Sequence, residues 1–299
     1  MASFVLTVFT VYALLDAFVI VRSYGAATGA THQTETAVSE ETPDVTAEDA
    51  AGQTESEPVV TENSYVSDDV SVTVSEYRYL GTTIHVADIT VSDPGQILAA
   101  FADDTYGKNV KDETSSIAEA NGALIAINGD FYGSRNAGYV IRNGVLYRDV
   151  SAGNEDLVIW SDGSFGIINE DDVTAEELLE AGAYQVFSFG PSLVEDGEVS
   201  VTAEDEVGRA KASNPRTAIA VTDNGHYLFI VSDGRTDGEE GLSLFELAEF
   251  AKSLGAAVCY NLDGGGSSTM YFMGEVINDP VSGRGSGERS VSDIVYVGK

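Results

Sequence analysis

Residues 118–133 read AEANGALIAINGDFYG, and residues 251–266 read AKSLGAAVCYNLDGGG. The two stretches match at Ala118/Ala251, Gly122/Gly255, Ala123/Ala256, Asn128/Asn261, Asp130/Asp263 and Gly133/Gly266, a constant offset of 133 residues. In each, a helical segment stops at a glycine, the residue that best tolerates the left-handed position after a helix. An apolar run follows and ends in Asn-x-Asp. A Gly-containing loop and a hairpin come next, over residues 138–149 in the first stretch and 269–279 in the second. The pattern predicts two related helix–strand units.

Strand alternation then sorts the side chains. Ala126, Asn128 and Asp130 fall on one side of the first strand, with Ile125 and Ile127 on the other. Cys259, Asn261 and Asp263 share a side of the second, opposite Val258, Tyr260 and Leu262. Each strand tip therefore offers an amide and a carboxylate together. If the units pack about a pseudo-twofold axis, two carboxylates converge on one cleft, as glycosyl transfer requires. The alternative is that each Asp caps its own loop through local hydrogen bonds.

Outward from these units the signals are mostly of strands. Residues 70–91 are rich in Val, Thr, Ile and Tyr. Arg142-Asn143-Gly144, Ser161-Asp162-Gly163, Glu195-Asp196-Gly197, Asp223-Asn224-Gly225 and Met273-Gly274-Glu275 sit between apolar runs at hairpin spacing. A helical stripe of Leu244, Leu247, Ala248 and Ala251 marks residues 242–254. Weaker helical spacing occurs in 94–103, 112–120 and 174–181. Many hairpins and few helices predict an α+β fold of mostly antiparallel sheets, with no alternating βαβ pattern.

Three regions differ in composition. Residues 1–30 hold the apolar run 2–21, ASFVLTVFTVYALLDAFVIV, whose one charge is Asp16. As a helix it would span roughly 30 Å, a bilayer core. It is expected to be a single-pass membrane anchor, placing the rest of the chain outside the cell. A cleaved signal segment is the alternative, with the small residues 25–30 as a cleavage region. Arg22, the one nearby base, lies on the flank opposite to that expected for an exported C-terminus. Residues 31–69 carry 11 acids and no Lys or Arg, and read as a disordered, self-repelling linker. Residues 70–299 hold 37 acids against 14 bases and form the predicted folded domain.

The whole chain of 299 residues carries 49 acids and 15 bases, a net charge of −34. Such a surface repels phosphate backbones, which excludes a general nucleic-acid binder. The single cysteine, Cys259, excludes an intrachain disulfide and is expected to be inert core. No cofactor is expected, although clustered Asp leaves a divalent cation open. The oligomeric state is not encoded.

Residues 208–222, GRAKASNPRTAIAVT, contain Arg209, Lys211 and Arg216 and no acid. A cationic patch in so acidic a domain suits an anionic ligand, which Arg holds with a two-pronged fork. Asn214-Pro215-Arg216-Thr217 directly precedes a β run, which puts Arg216 at a strand entrance. Asp233-Gly234-Arg235 closes the hairpin after it. Gly264-Gly265-Gly266-Ser267-Ser268 follows Asp263, and its amides could form an anion nest. No Gly-x-Ser-x-Gly elbow surrounds Ser267, so a serine nucleophile is not expected.

Taken in order, NGDFYG at 128–133, NPRTAIAV at 214–221, SDGR at 232–235, GLSLFELAEFAKSLGA at 241–256, NLDGGGSST at 261–269 and ERSVSDIVYV near the C-terminus resemble the phosphodiester glycosidase family, of the uncovering-enzyme type. The likeness spans about residues 77–297 and reaches Arg289 and Asp293. The anchor-and-linker layout and the single cysteine resemble bacterial, membrane-anchored members associated with surface polysaccharides. The resemblance implies hydrolysis of a sugar-1-phosphodiester at the sugar C1. It places Asp130, Asp263, Arg216 and Asp233 in the catalytic site. Asn128, Thr217, Arg235, Glu246 and Asn261 are carried over around them, beside the nest residues Gly265 and Ser267. A sugar phosphate or glycan would be the substrate. Two other readings stay open, a metal-dependent phosphodiesterase that cuts the P–O bond and a non-catalytic glycan-binding or assembly protein.

Overall fold

Alternating Val, Ile and Thr over residues 70–91 build two ten-residue strands, β1 (Val70–Tyr79) and β2 (Thr82–Val91), closed by Leu80-Gly81 with both residues at positive φ. A computed structural model describes residues 21–23, 57–202, 213–222, 225–283 and 285–298. The further strands that position the site are β3 (Ala123–Asn128), β4 (Arg216–Thr222), β5 (Tyr227–Ser232), β6 (Ala256–Asn261) and β7 (Asp293–Gly298). The helices are α1 (Thr114–Ala120), α2 (Ala175–Glu180) and α3 (Leu244–Ser253).

Three larger sheets result, antiparallel throughout their ladders. The nine-stranded sheet runs Glu198–Val199, Ser192–Glu195, β6, β4, β5, β2, β1, Ser64–Val66, Val59–Val60. A five-stranded sheet runs Glu275–Val276, Met270–Phe272, β3, β7, Leu98–Phe101. The other five-stranded sheet holds Val145–Arg148, Val140–Arg142, Ala183–Phe187, Glu155–Trp160 and Phe165–Asn169. The expected α+β class and antiparallel pairing are what the chain adopts.

The inner faces of all three sheets share one core. It joins Ile89, Ile219, Phe229, Tyr260 and Leu262 to Ile125, Ile127, Val295 and to Leu157, Ile159, Phe187. Each sheet then buries its outer face under one helix. The α3 stripe of Leu244, Leu247, Ala248 and Ala251 lies on Ala218, Ala220, Leu228 and Ile230. Ile117 and Ala118 of α1 cover Ala126 and Ile294, and Ala175 and Leu178 of α2 cover Ile141, Val158 and Val186. Ile125 and Ile127 lie on the shared-core side and Ala126 on the other, as alternation requires. Cys259 is fully buried on the α3 side, where burial pushes its thiol far up.

The internal repeat is present element by element. α1 and α3 both end before a glycine at positive φ, Gly122 and Gly255. β3 and β6 follow, then the 3-10 turns Tyr132–Ser134 and Gly265–Ser267, then a hairpin in each unit. Asn143-Gly144, Asp196-Gly197 and Met273-Gly274 supply the positive φ that tight hairpins need.

Two boundaries differ from expectation. Residues 94–103 are not a helix: Pro94–Gln96 is one 3-10 turn and Leu98–Phe101 is a strand paired with β7. Backbone pairing with the β7 edge outweighs a weak helical period over so short a run. The end of the acid-rich linker is ordered, because Ser64–Val66 adds to the β1 edge and Tyr65 packs on the core. Residues 2–20 and 24–56 of the expected anchor and linker lie outside the described residues, as do Arg209 and Lys211. Among the described residues no helix is long and apolar enough to cross a membrane.

Candidate functional site

The tips of β3 and β6 meet although the strands belong to different sheets. Asn128 joins them. Its Nδ2 donates to Asp263 O at 2.6 Å, and its Oδ1 accepts from Thr217 Oγ1 at 2.8 Å and from Thr269 N at 3.3 Å. The amide of Asp263 donates to Gly129 O at 3.3 Å. Asn128 and Thr217 are both fully buried, and they hold the two tips together. Asn261 is also internal, with Nδ2 on Gly190 O at 2.7 Å.

The two aspartates are not equivalent. Asp130 was expected to face a cleft, but its side chain is 0% exposed. Its Oδ1 accepts from Tyr132 N at 2.8 Å, and its Oδ2 from Arg142 Nη2 at 2.9 Å and Ser188 N at 3.1 Å. Arg142, equally buried, also donates Nε and Nη2 to Asp293 Oδ2 at 2.9 and 2.8 Å. The position of Asp130 is therefore that of an internal ion-pair partner. Gly129 is needed here because a Cβ at that position would lie 2.4 Å from Asp293 Oδ1.

Buried acids continue behind Asp130. Ser188 Oγ donates to Glu170 Oε1 at 3.1 Å, and Glu170 also accepts from the amides of Tyr139, Ala152 and Asn154. Burial raises Glu170, but those amides outweigh it and leave the group below its ordinary range. Asp156 is fully buried, and burial followed by the Glu170 charge pushes it up to about 9. Folding thus takes up a proton at Asp156 between about pH 4, where the unfolded carboxyl titrates, and about pH 9. An acid raised in this way loses stability as pH climbs through that window. Asp156→Asn is expected to flatten the decline, gaining more at pH 8 than at pH 5 in denaturant melts. Equal effects at both pH values would refute it.

Asp263, by contrast, lies at the surface with 14% of its side chain exposed. Its Oδ2 accepts from Ser267 Oγ at 2.7 Å and Arg289 Nη2 at 2.8 Å, while Arg289 Nε donates to Ser267 Oγ at 2.8 Å. Its Oδ1 has no hydrogen-bond partner among the described residues. Lys111 stands close enough to feel both charges: burial and Arg289 lower its ammonium, and Asp263 opposes them. Lys111 Nζ donates to Ser134 Oγ at 2.8 Å and sits 5.3 Å from the Phe131 ring centre.

Arginines flank the glycine-rich loop. A Cβ on Gly265, whose φ is +64°, would stand 2.8 Å from Arg235 Nη2, so only glycine lets that guanidinium lie on the loop. Arg235 is fixed by Asn214 Oδ1, which accepts from Nε at 3.0 Å and Nη2 at 2.8 Å. Arg216 opens β4, as expected, with Nε on Leu242 O at 2.8 Å, and its Cδ approaches Gly264.

Asp233 lies beyond the end of β5 on a cavity of about 640 Å³ shared with His85, Asn278, Asp279 and Glu239. His85 Nε2 is 3.3 Å from Asp233 Oδ2, while Asp279 N and Asn278 Nδ2 donate to Oδ1 at 2.9 and 3.2 Å. Burial pushes Asp233 up, but these donors and the His85 charge outweigh it and hold the carboxyl below its usual range. Asn278 Nδ2 also donates to Ser268 O at 3.1 Å, tying Asp233 to the glycine-rich loop. A further cavity of about 690 Å³ shares His85, Glu76 and Ile277 with it. Glu246 is engaged in a helix cap. It is the third residue of α3, and its Oε2 accepts from Ser243 N at 2.8 Å in a capping box. Among the described residues no three His, Cys, Asp or Glu side chains gather as a metal site.

A profile of the phosphodiester glycosidase family matches residues 121–298. The chain belongs to the phosphodiester glycosidase family. An uncharacterized SPbeta prophage-derived protein of Bacillus subtilis, YomE, is 29% identical over 198 residues, covering 64% of this chain and 30% of that protein. Mouse N-acetylglucosamine-1-phosphodiester alpha-N-acetylglucosaminidase is 27% identical over 175 residues, covering 53% and 34%. The chain thus spans about a third of the length of these relatives. The zebrafish enzyme's catalytic domain shares the fold with a TM-score of 0.61 at 22% identity, over 77% of this chain and 83% of that one. The family match holds both strand tips, the Arg216 strand and the Asp233 loop. Three residues of the site stood outside the sequence reading. His85 lies on β2 and Lys111 just before α1, both outside the motifs, while Asn278 lies in the 269–279 hairpin without having been singled out there. Only folding brings them to Asp233 and Asp263.

Proposed function

We propose that this domain hydrolyses a sugar-1-phosphodiester at the anomeric carbon, releasing a sugar and a phosphomonoester. The observation that carries this reading is the Asp263 carboxylate. One oxygen is held by Arg289 and Ser267, and the other accepts no hydrogen bond among the described residues, beside a loop flanked by arginines. Asp263 would face the anomeric carbon or activate water, with Asp233, tied to the same glycine-rich loop through Asn278, as the second carboxylate. A phosphomonoester is a weakly basic leaving group that needs little acid assistance. It needs its growing negative charge offset, and Arg216, Arg235 and Arg289 are the cations placed for that. Asp130 supports the site from within by fixing the turn that carries Phe131. Family membership and the name of the mouse relative support the same reaction class. We place the substrate among surface glycans and the domain outside the cell, held at the membrane by the apolar run 2–21.

Assay of the purified chain against UDP-sugars and sugar-1-phosphodiesters in ¹⁸O-water, with and without EDTA, tests the reading. The expected result is activity that survives EDTA, with ¹⁸O entering the sugar. Label in the phosphate together with loss of activity in EDTA would mark a metal-dependent phosphodiesterase instead.

A further inference from the structure

The repeat provides a second turn of the same kind as the one at Asp263. Tyr132–Ser134 follows β3 as Gly265–Ser267 follows β6. The first turn borders a cavity of about 290 Å³ walled by Lys108, Arg135, Arg148, Tyr106, Tyr132 and Tyr147, and none of Asp233, Asp263, Ser267 or Arg289 lines it. Among the described residues three cations and one acid, Asp149, line it. In a domain with 37 acids and 14 bases that is a local reversal of charge.

Its arginines are held without being neutralised. Arg135 Nη1 donates to Ser188 O at 2.9 Å and its guanidinium lies 5.1 Å from the Phe189 ring centre. Arg148 Nη1 donates to Tyr132 O and Arg135 O, both at 3.0 Å, and its Nε to Gly138 O. Neither forms an ion pair among the described residues. Backbone carbonyls fix the position of each fork and leave its charge in place. Lys108, only 6% exposed, donates to Asn136 Oδ1 at 3.0 Å. Tyr106 and Tyr132 stack with ring centres 5.2 Å apart at 17°, and Tyr147 stands 5.0 Å from Tyr106.

We propose that this cavity is a second binding site, separate from Asp263 and Asp233, for an anionic sugar of monosaccharide size. The forked cations recognise a phosphate or carboxylate group, and the half-buried Tyr147 takes the apolar side of the ring. The site does not depend on the hydrolase reading, since an inactive protein would bind the same ligand.

Calorimetric titration of the purified chain with glucose 1-phosphate, glucuronate and glucose tests it, the first two separating phosphate from carboxylate recognition. At least one anion is expected to bind, at least tenfold more tightly than glucose. Arg135→Gln should weaken binding about tenfold without shifting Tm, and Asp263→Asn should leave it unchanged. Crystals of the unaltered chain soaked with the bound anion locate it without relying on any variant. Absence of binding by both anions, equal binding of glucose, or ligand found only beside Asp263 and Asp233 would overturn the proposal.

Discussion

Arg142→Met is expected to destabilise the domain by about 3–5 kcal/mol, because it strands two buried carboxylates that share one guanidinium. The Arg142, Asp130 and Asp293 side chains are 1%, 0% and 0% exposed. Burial already pushes Asp293 above the ordinary carboxylate range, against the pull of Arg142. Without that arginine both acids must take up protons or the strand tips must separate. For a domain of this size the loss corresponds to a fall in Tm of roughly 6–20 °C. Asp130→Asn should lose stability and activity together, since the carboxylate anchors Tyr132 N and Ser188 N as well as Arg142. A catalytic Asp130 would behave differently, with activity gone and Tm intact. Thermal melts of both variants beside their activity distinguish the two, and an unchanged Tm for Arg142→Met would show that the triad does not hold the tips.

Asp263→Asn should show the reverse pattern. The asparagine amide oxygen can still accept from Ser267 and Arg289, and the position is partly exposed, so Tm should stay within a few degrees. The chemistry should not survive, because an amide neither attacks carbon nor accepts a proton from water. A fall in kcat of about 10²–10⁴ is expected for removal of a positioned acid–base group. Steady-state kinetics on the best sugar-1-phosphodiester found in the assay above would check it. A variant retaining most of its kcat would remove Asp263 from the mechanism.

The contrast between these two residues marks how far the sequence could be read. The repeat, its glycines and its Asn-x-Asp tips were legible because each is a local demand: a helix end, a strand period, a turn at positive φ. The α3 stripe and the hairpin dipeptides were legible for the same reason. Pairing geometry was legible too, since Asp130 and Asp263 do come to neighbouring tips. The charge environment was not. Identical motifs end differently because Arg142, twelve residues past Asp130 on the next hairpin, folds back beneath the first tip, while Arg289 approaches the second from the surface. Glu246 illustrates the same gap, since a motif glutamate three residues past Ser243 completes a helix cap.

By itself the sequence determined the α+β class, the two helix–strand units, the acidic surface and the family likeness. All of these follow from periodicity, backbone conformation and ordered motifs that act over a few neighbouring residues. Tertiary structure alone decided which carboxylate is buried and which meets solvent, that His85 joins Asp233, and that Lys108, Arg135 and Arg148 surround one cavity. Burial and charge pairing depend on residues distant along the chain, and folding sets both at once.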